Sequence, residues 1–370
     1  MRVLFINGVN TAYGGSGAAA VRCWFRSFAR FNIDVAEINV HPPIANITNR
    51  SVINLIWALY FLPGTIARLI GTPFMEPFYK LSPFVSAKIL KSLYLSKWDL
   101  VVFSHYAVIL YAVFIPRLKR VFIIQDLLYR RARSLGFSRY FCRKIFRFEL
   151  KMYSLSNFLC ALSWQEKRIL ERFLKCNVSL VSCFETRGPL QSDSAPADQN
   201  FIAVVSDWRR RENTHGFRKY LLENQYKFDF DEKPKYRLTE YRLYGYGSDE
   251  FIRLIQNEIK RSSFEITSAG LFNSYSEIPT KFFLVPIYHG AGIKLKTIEA
   301  LMNGKIVIGT KSAFRGLPIK CVAGIAAVTD NPKDIDQALS KIENVDRFNF
   351  SRLYSHYFKE IGSVLLERSR

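Results

Sequence analysis

Two runs of short apolar stretches, each alternating with amphipathic stretches and separated by one polar segment, constrain this 370-residue chain more than any other feature. In the first run, residues 2–7, 33–39, 100–104, 120–125, 157–163 and 179–183 read as buried strands with helical spacing between them. Ser163, suited to cap free N–H groups, announces a helix over 164–175. Residues 187–200 then lose all apolar periodicity and are rich in Pro, Ser, Asp and Gln, the texture of a linker. The second run offers strands at 201–207, 242–247, 265–270, 282–287, 305–310 and 324–329. Its helices are expected at 214–223, 249–260, 294–303 and 332–342. Strands that alternate with helices build parallel sheets covered on both faces. The expected class is α/β with two doubly wound domains, 1–186 and 201–345, joined by the linker 187–200. Residues 346–370 are expected to form a C-terminal helix that packs back towards the first domain. Such sheets bind ligands outside the carboxyl ends of their strands, here in a cleft across which the two domains face each other.

The formal net charge of +22 asks for an anionic partner: nucleic acid, an acidic membrane surface or phosphorylated small molecules. No nucleic-acid recognition motif accompanies the charge, so that partner is not expected. The 31 Phe and 19 Tyr among so many cations suit a protein resting at a membrane interface. Basic and aromatic residues concentrate in 51–94 and 117–151, both in the first domain. Within that stretch, residues 51–70 are apolar but broken by Pro63, Gly64 and Arg68, so the segment is expected to lie on a membrane without crossing it. Cys23, Cys142, Cys160, Cys176, Cys183 and Cys321 show no metal-ligand spacing and read as reduced core residues. With no cleavable leader pattern before residue 2, the expected location is cytoplasmic, on the inner face of the membrane.

Residues 282–318 carry most of the chemistry. A buried strand ends at Pro286, a small-residue loop follows at Gly290-Ala291-Gly292, and a helix opens at Ile293-Lys294-Leu295-Lys296. Small residues let a ligand approach the backbone, and a helix N-terminus offers free N–H groups at its positive end. Lys294 and Lys296 add charge suited to a diphosphate. Glu299, one turn further on, is placed to accept hydrogen bonds from the hydroxyls of a ribose.

This segment resembles the donor-binding element of GT-B glycosyltransferases, in particular family 4, often called glycosyl transferases group 1. The shared pattern is Pro286, Gly290 and Gly292, then Lys296, Glu299 and Ala300, then Gly304, Lys305, Val307 and Ile308, then Gly316 and Leu317. The resemblance implies two Rossmann-like domains and transfer of a sugar from a nucleotide-sugar donor, with retention of configuration. It places Glu299 on the ribose and Gly292, Ile293 and Lys294 at the diphosphate. Gly15, in the Gly-rich turn after the first strand, resembles the family's first loop. Arg209 and Arg210 fall where relatives place phosphate-binding cations. The acceptor is expected to be a saccharide or lipid-linked saccharide, in synthesis of a bacterial surface polysaccharide such as lipopolysaccharide, O-antigen or capsule.

Two departures bear on catalysis. His289 stands before Gly290 where many relatives carry a glutamate, and Gln125 occupies the place of the usual first-domain histidine. Asp126, next in sequence, is either a base or orienting group for an acceptor hydroxyl or a helix N-cap. His289 is the histidine expected at the sugar. Neither a metal nor another cofactor is expected; cations with a helix N-terminus would stabilise the leaving diphosphate instead. The altered motifs leave a non-catalytic binding protein on the same scaffold as the alternative.

Overall fold

Among the described residues every strand runs parallel to its sheet neighbours. The computed structural model describes residues 1–9, 16–41, 82–134, 136–156, 158–184, 201–224, 240–259, 265–289, 292–330, 334–342 and 347–369. The Gly14-Gly15 turn, the apolar stretch 51–70 and the segment 187–200 lie outside them. The chain divides into one unit of residues 1–186 with 355–370 and another of residues 187–354.

In the first unit, β1 (Arg2–Asn7), β2 (Asp34–Asn39), β3 (Leu100–Ser104), β4 (Arg120–Ile124), β5 (Phe158–Ala161) and β6 (Val178–Leu180) form a sheet in the order β2-β1-β3-β4-β5-β6. β3, β4 and β5 are buried almost throughout, as strands covered on both faces must be. The helix Trp164–Leu174 is capped by the Ser163 hydroxyl, which accepts from the Glu166 amide at 3.5 Å. It stops at Lys175, whose φ of 51° is left-handed.

The C-terminal segment, expected as one helix, is two: Arg347–Tyr357 and Ile361–Ser369. Between them the backbone pairs with the edge of the sheet, Ser182 donating to the Lys359 carbonyl at 2.8 Å and Lys359 to Leu180 at 3.0 Å. A helix cannot continue through residues whose amides and carbonyls serve a strand. The second of these helices packs on Ser16–Arg30, with the Gly362 amide on the Ser27 hydroxyl at 3.1 Å. A Cβ at Gly362 would stand 2.5 Å from the Phe31 ring, so glycine sets that spacing.

In the second unit, β7 (Phe201–Val205), β8 (Glu240–Tyr244), β9 (Glu265–Gly270), β10 (Phe282–Val285), β11 (Ile306–Gly309) and β12 (Ala326–Val328) are ordered β12-β11-β10-β7-β8-β9. Counted within the unit this is the 3-2-1-4-5-6 order of dinucleotide-binding domains, which reverses between β7 and β10. One core cluster joins Ile202, Val204, Phe217, Tyr241, Phe282 and Ile308 beneath the helices. The helix expected over 214–223 begins earlier, at Arg211, because Asn213 ties its first turn to the Asp207 carbonyl at 2.9 Å. The helix expected over 249–260 is broken into Ser248–Leu254 and Gln256–Ile259 at Ile255, whose side chain is pulled into the core and whose amide is shared between the Phe251 and Ile252 carbonyls. Among the described residues no helix is long and apolar enough to cross a membrane.

Candidate active site

The reversal of strand order in the second unit leaves a crevice at the carboxyl ends of β7 and β10. Close backbone packing shapes it. The helix Arg211–Asn224, which leaves β7, presses Gly216 onto the end of β10, and a Cβ there would stand 2.2 Å from the Pro286 carbonyl oxygen. Gly245, at φ 111°, brings the exit of β8 against Ser206 in the same way. Trp208 closes the floor, its indole N–H on the Tyr244 carbonyl at 2.9 Å and its ring stacked on Phe251 at 4.8 Å.

Lys296 enters this crevice from the helix Leu295–Met302. Its ammonium donates to the Ser206 hydroxyl at 2.8 Å, to Asn213 Oδ1 at 3.2 Å and to the Val205 carbonyl at 3.4 Å. Burial, helped by the nearby Lys294 charge, pushes its pKa down to about 7. Lys294 is the residue before the helix, with extended backbone, so the first amides of the helix lie beside both cations. Gly292 adopts φ 68°, a conformation that suits glycine. The Gly316-Leu317 turn packs on Ile293: a Cβ at Gly316 would stand 3.1 Å from the Ile293 Cα, and φ there is 105°. Thr297 anchors the helix to the same loop through the Ala313 carbonyl at 2.9 Å. The spaced glycines of residues 282–318 thus act through close contacts that hold the Gly292–Lys296 corner.

Glu299 sits one turn along that helix. Burial pushes its carboxyl up to about 7, and a hydrogen bond from the Tyr275 hydroxyl acts in the opposite direction. Tyr275 is held by stacking on Phe283 at 5.5 Å and by edge contact with Phe272 at 5.3 Å. A side chain rigidly packed at one end and polar at the other is well suited to orient a carboxylate.

Arg209 and Arg210 are exposed and share Asp207, at 2.8 and 3.5 Å. Arg209 also lies 4.8 Å over the Tyr246 ring. Their charges face solvent at the crevice rim, while Lys296 is the cation inside it. His289 is exposed after β10, and its ring lies 6.5 Å from that of His215, nearly parallel. Lys219, one turn after His215, places its ammonium 4.2 Å over the Tyr288 ring. A groove of about 1240 Å³ runs along this helix, lined by Arg209, His215, Lys219 and Phe251, with Glu250 and Asp330 on its walls. Lys296 and Glu299 do not line it. Gly15 and Gly290, both assigned to the donor, lie outside the described residues.

Asp126 belongs to the first unit, in the turn after β4. The next three amides in that turn are taken by buried carboxyls of other elements. Leu127 donates to Glu166 at 3.1 Å, and Leu128 and Tyr129 donate to Glu149 at 2.6 and 2.9 Å. Burial pushes the Glu149 carboxyl up to about 8, with the Asp126 and Glu166 charges adding to the shift. Beside this turn Gln125 donates to the Ser104 hydroxyl at 3.2 Å, and His105 leaves β3 with a left-handed φ of 82°.

Sequence reasoning did not single out Ser206, Asn213, His215, Tyr275 or Glu149. Glu149 carried a signal: it is the one acidic residue of the helix Arg139–Tyr153 and falls on its apolar stripe beside Ile145 and Met152. Among the described residues no group of three or more His, Cys, Asp or Glu could hold a metal ion.

By sequence the chain matches no protein-family profile and no curated protein. In three dimensions it is similar over its whole length to several solved structures. HepE of Anabaena in complex with UDP has a TM-score of 0.60 and 13% identity, with 99% of each chain covered. Sucrose-phosphate synthase of Thermosynechococcus elongatus has a TM-score of 0.63 and 12% identity, covering 100% of this chain and 98% of that one. A glycosyltransferase from Rickettsia africae has a TM-score of 0.53 and 14% identity, covering 100% and 97%. The chain therefore has the GT-B fold, the two-Rossmann-unit fold of these glycosyltransferases.

Proposed function

We propose that the protein is a glycosyltransferase that takes its sugar from a nucleotide-sugar donor bound at the β7/β10 crevice. The observation that carries this reading is the Lys296 ammonium, lodged between Ser206, Asn213 and the Val205 carbonyl at the point where strand order reverses. HepE, similar in fold, has been solved with UDP and with UDP-glucose. In this reading Gly290, Gly292, Ile293 and Lys294 present backbone and charge to the diphosphate, Arg209, Arg210 and Gly15 complete its surroundings, and Glu299 holds the ribose.

In the reaction the bond from the anomeric carbon to the diphosphate oxygen breaks, and a bond from that carbon to an acceptor hydroxyl oxygen forms. Negative charge grows on the departing diphosphate, and a buried ammonium stabilises it far more than a solvated one would. That role needs no metal. The acceptor proton leaves during bond formation, with Asp126 as the group that orients or accepts it and His289 beside the sugar. Retention of configuration follows the resemblance of residues 282–318.

The acceptor is a saccharide or lipid-linked saccharide, of the kind used in bacterial surface polysaccharide synthesis, met at an anionic membrane. The outward faces of two helices support attachment there. Pro83–Leu95 exposes Phe84, Lys88, Lys91 and Leu95 along one stripe, and Arg139–Tyr153 exposes Arg143, Lys144, Arg147 and Lys151, with its one carboxylate, Glu149, buried. The function is tested by thermal melting with UDP, GDP, ADP and their sugar derivatives, in excess chelator and again with magnesium. One nucleoside diphosphate should raise the midpoint by several degrees in both conditions. No response to any of them would sink the donor assignment, and a response only with metal would sink the metal-independent one.

A further inference from the structure

The first sheet has a reversal of its own. Its order β2-β1-β3-β4-β5-β6 turns back between β1 and β3, the place where sheets of this kind open a crevice at their carboxyl ends. The two exits pack backbone on backbone. The Gly8 amide donates to the Ser104 carbonyl at 3.0 Å, and a Cβ at Gly8 would stand 2.9 Å from that oxygen and 3.1 Å from the His105 Cβ. On the other side the His105 amide donates to the Ile123 carbonyl of β4 at 3.3 Å, and Gln125 donates to the Ser104 hydroxyl at 3.2 Å. His105 is thus fixed between the exits of β1 and β4, half-buried at the reversal itself.

Its backbone is held where a side chain is a handicap. Among the described residues three other than glycine have φ above zero: Asn32 at 50°, His105 at 82° and Lys175 at 51°. Asn32 and Lys175 follow the helices Ser16–Arg30 and Trp164–Leu174, and both lie in the left-handed well of about 50–70°. His105 instead leaves a strand, precedes the 3₁₀ helix Tyr106–Phe114, and lies beyond that well. Glycine would take this φ without strain. Strain that the surroundings hold in place marks residues kept for their side chain. Imidazole exchanges a proton near neutrality, and its neutral form accepts one from a hydroxyl. His105 has a further interaction within the fold, and an imidazole with one nitrogen held by the protein still offers the other.

We propose that His105 is the catalytic base on the acceptor side. Its imidazole takes the proton of the acceptor hydroxyl as the oxygen's electron pair forms the bond to the anomeric carbon. The bond from that carbon to the diphosphate breaks, and its pair leaves on the diphosphate oxygen. Asp126, at the exit of β4, is left to orient the hydroxyl. The proposal rests on the glycosyltransferase reading above, but it assigns His105 no part in holding the donor.

Three variants separate strain from chemistry. His105→Gly removes both the ring and the strain, His105→Asn keeps a residue that tolerates this backbone, and His105→Ala removes the ring alone. The glycine and asparagine variants should melt at or above the wild-type midpoint, and the alanine variant below both. Calorimetry should find affinity for UDP-glucose, or for the nucleotide sugar that the protein prefers, unchanged in all three. Single-turnover release of free sugar from that donor, with water in place of the acceptor hydroxyl, should fall about a hundredfold in each. Added imidazole should restore release in His105→Gly and leave the wild type unaffected. Sugar release within about threefold of wild type in the glycine variant overturns the proposal while leaving the donor site standing. A glycine variant that melts several degrees lower, or whose lost release imidazole does not restore, assigns His105 a structural role and also overturns it. A wild type that binds the donor and never releases sugar holds no base that reaches water, with the same consequence. Binding of no nucleotide sugar removes the donor assignment and this proposal with it.

Discussion

The Lys296 ammonium and the Ser206 hydroxyl meet at 2.8 Å across the point where the second sheet reverses its strand order. The lysine comes from the helix after β10 and the serine from the exit of β7, so the contact ties together the two strands on either side of the crevice. A buried ammonium with neutral oxygen partners is a charge in search of an anion.

Replacing that charge should be felt by the diphosphate first. Lys296→Met should weaken binding of the preferred nucleoside diphosphate at least tenfold, about 1.4 kcal/mol or more. Because burial already holds this lysine near 7, the fold should survive the change. Calorimetry on the folded variant checks it, and unchanged affinity would remove Lys296 from the donor site.

Glu299→Gln should cost about 1.5–3 kcal/mol of nucleotide affinity, the scale of a hydrogen bond to a charged group. Tyr275→Phe should cost less, since the Tyr275 hydroxyl only holds the carboxylate in place. Ribose recognition gives a control: the loss should shrink when the 2′-deoxy nucleotide is the ligand. A full loss for both nucleotides would assign Glu299 a structural role.

These two groups also predict the pH dependence of binding. The Lys296 pKa is lowered to about 7, so its charge is lost as pH rises above 7, and affinity should then fall by up to about tenfold per unit. The Glu299 pKa is raised to about 7, so the ionised acceptor is lost as pH falls below 7. Affinity should therefore peak near neutrality. In Glu299→Gln the acid limb should vanish and the alkaline limb remain. A flat profile in the wild type would contradict both assignments.

In the first unit, Glu149 predicts a crossover in stability. Its folded pKa of about 8 lies above the 4.5 of a free glutamate, so the folded state holds the extra proton. That contribution is full below 4.5 and declines as pH rises towards 8. Glu149→Gln cannot titrate, and its one carbonyl replaces two acceptor oxygens, which costs about 1 kcal/mol. Urea denaturation should find the variant less stable than wild type at pH 5 and more stable at pH 8.5. Curves that never cross would show that Glu149 is ionised in the folded protein.

Gly216→Ala probes the packing that shapes the crevice. The new methyl would press on the Pro286 carbonyl, a backbone atom, so the helix or the strand end must shift to admit it. Destabilisation of about 2–3 kcal/mol is expected from such a backbone clash, read from the denaturation midpoint at constant m-value. A change below about 0.5 kcal/mol would mean that the helix moves freely over the strand end.

Much of this protein was legible in its sequence for a physical reason. A parallel strand covered on both faces must be apolar along its length, so Leu100–Ser104 and Phe282–Val285 stand out as uninterrupted runs. The Ser163 cap, the Gly292 corner and the Gly316 turn were readable too, since a cap or a left-handed residue is chosen by its own backbone. What stayed hidden was contact. The partners of Lys296 lie 91, 90 and 83 residues away, and nothing in the residues beside it names them. The break at Ile255 and the split of the C-terminal helix were likewise decided by the core and by the sheet edge at Leu180 and Ser182. Local pattern determined which segments became strands and helices and where the glycine corners fall between them. Only the folded chain decided which side chains converge there, because their desolvation and hydrogen bonding depend on neighbours that sequence distance does not reveal.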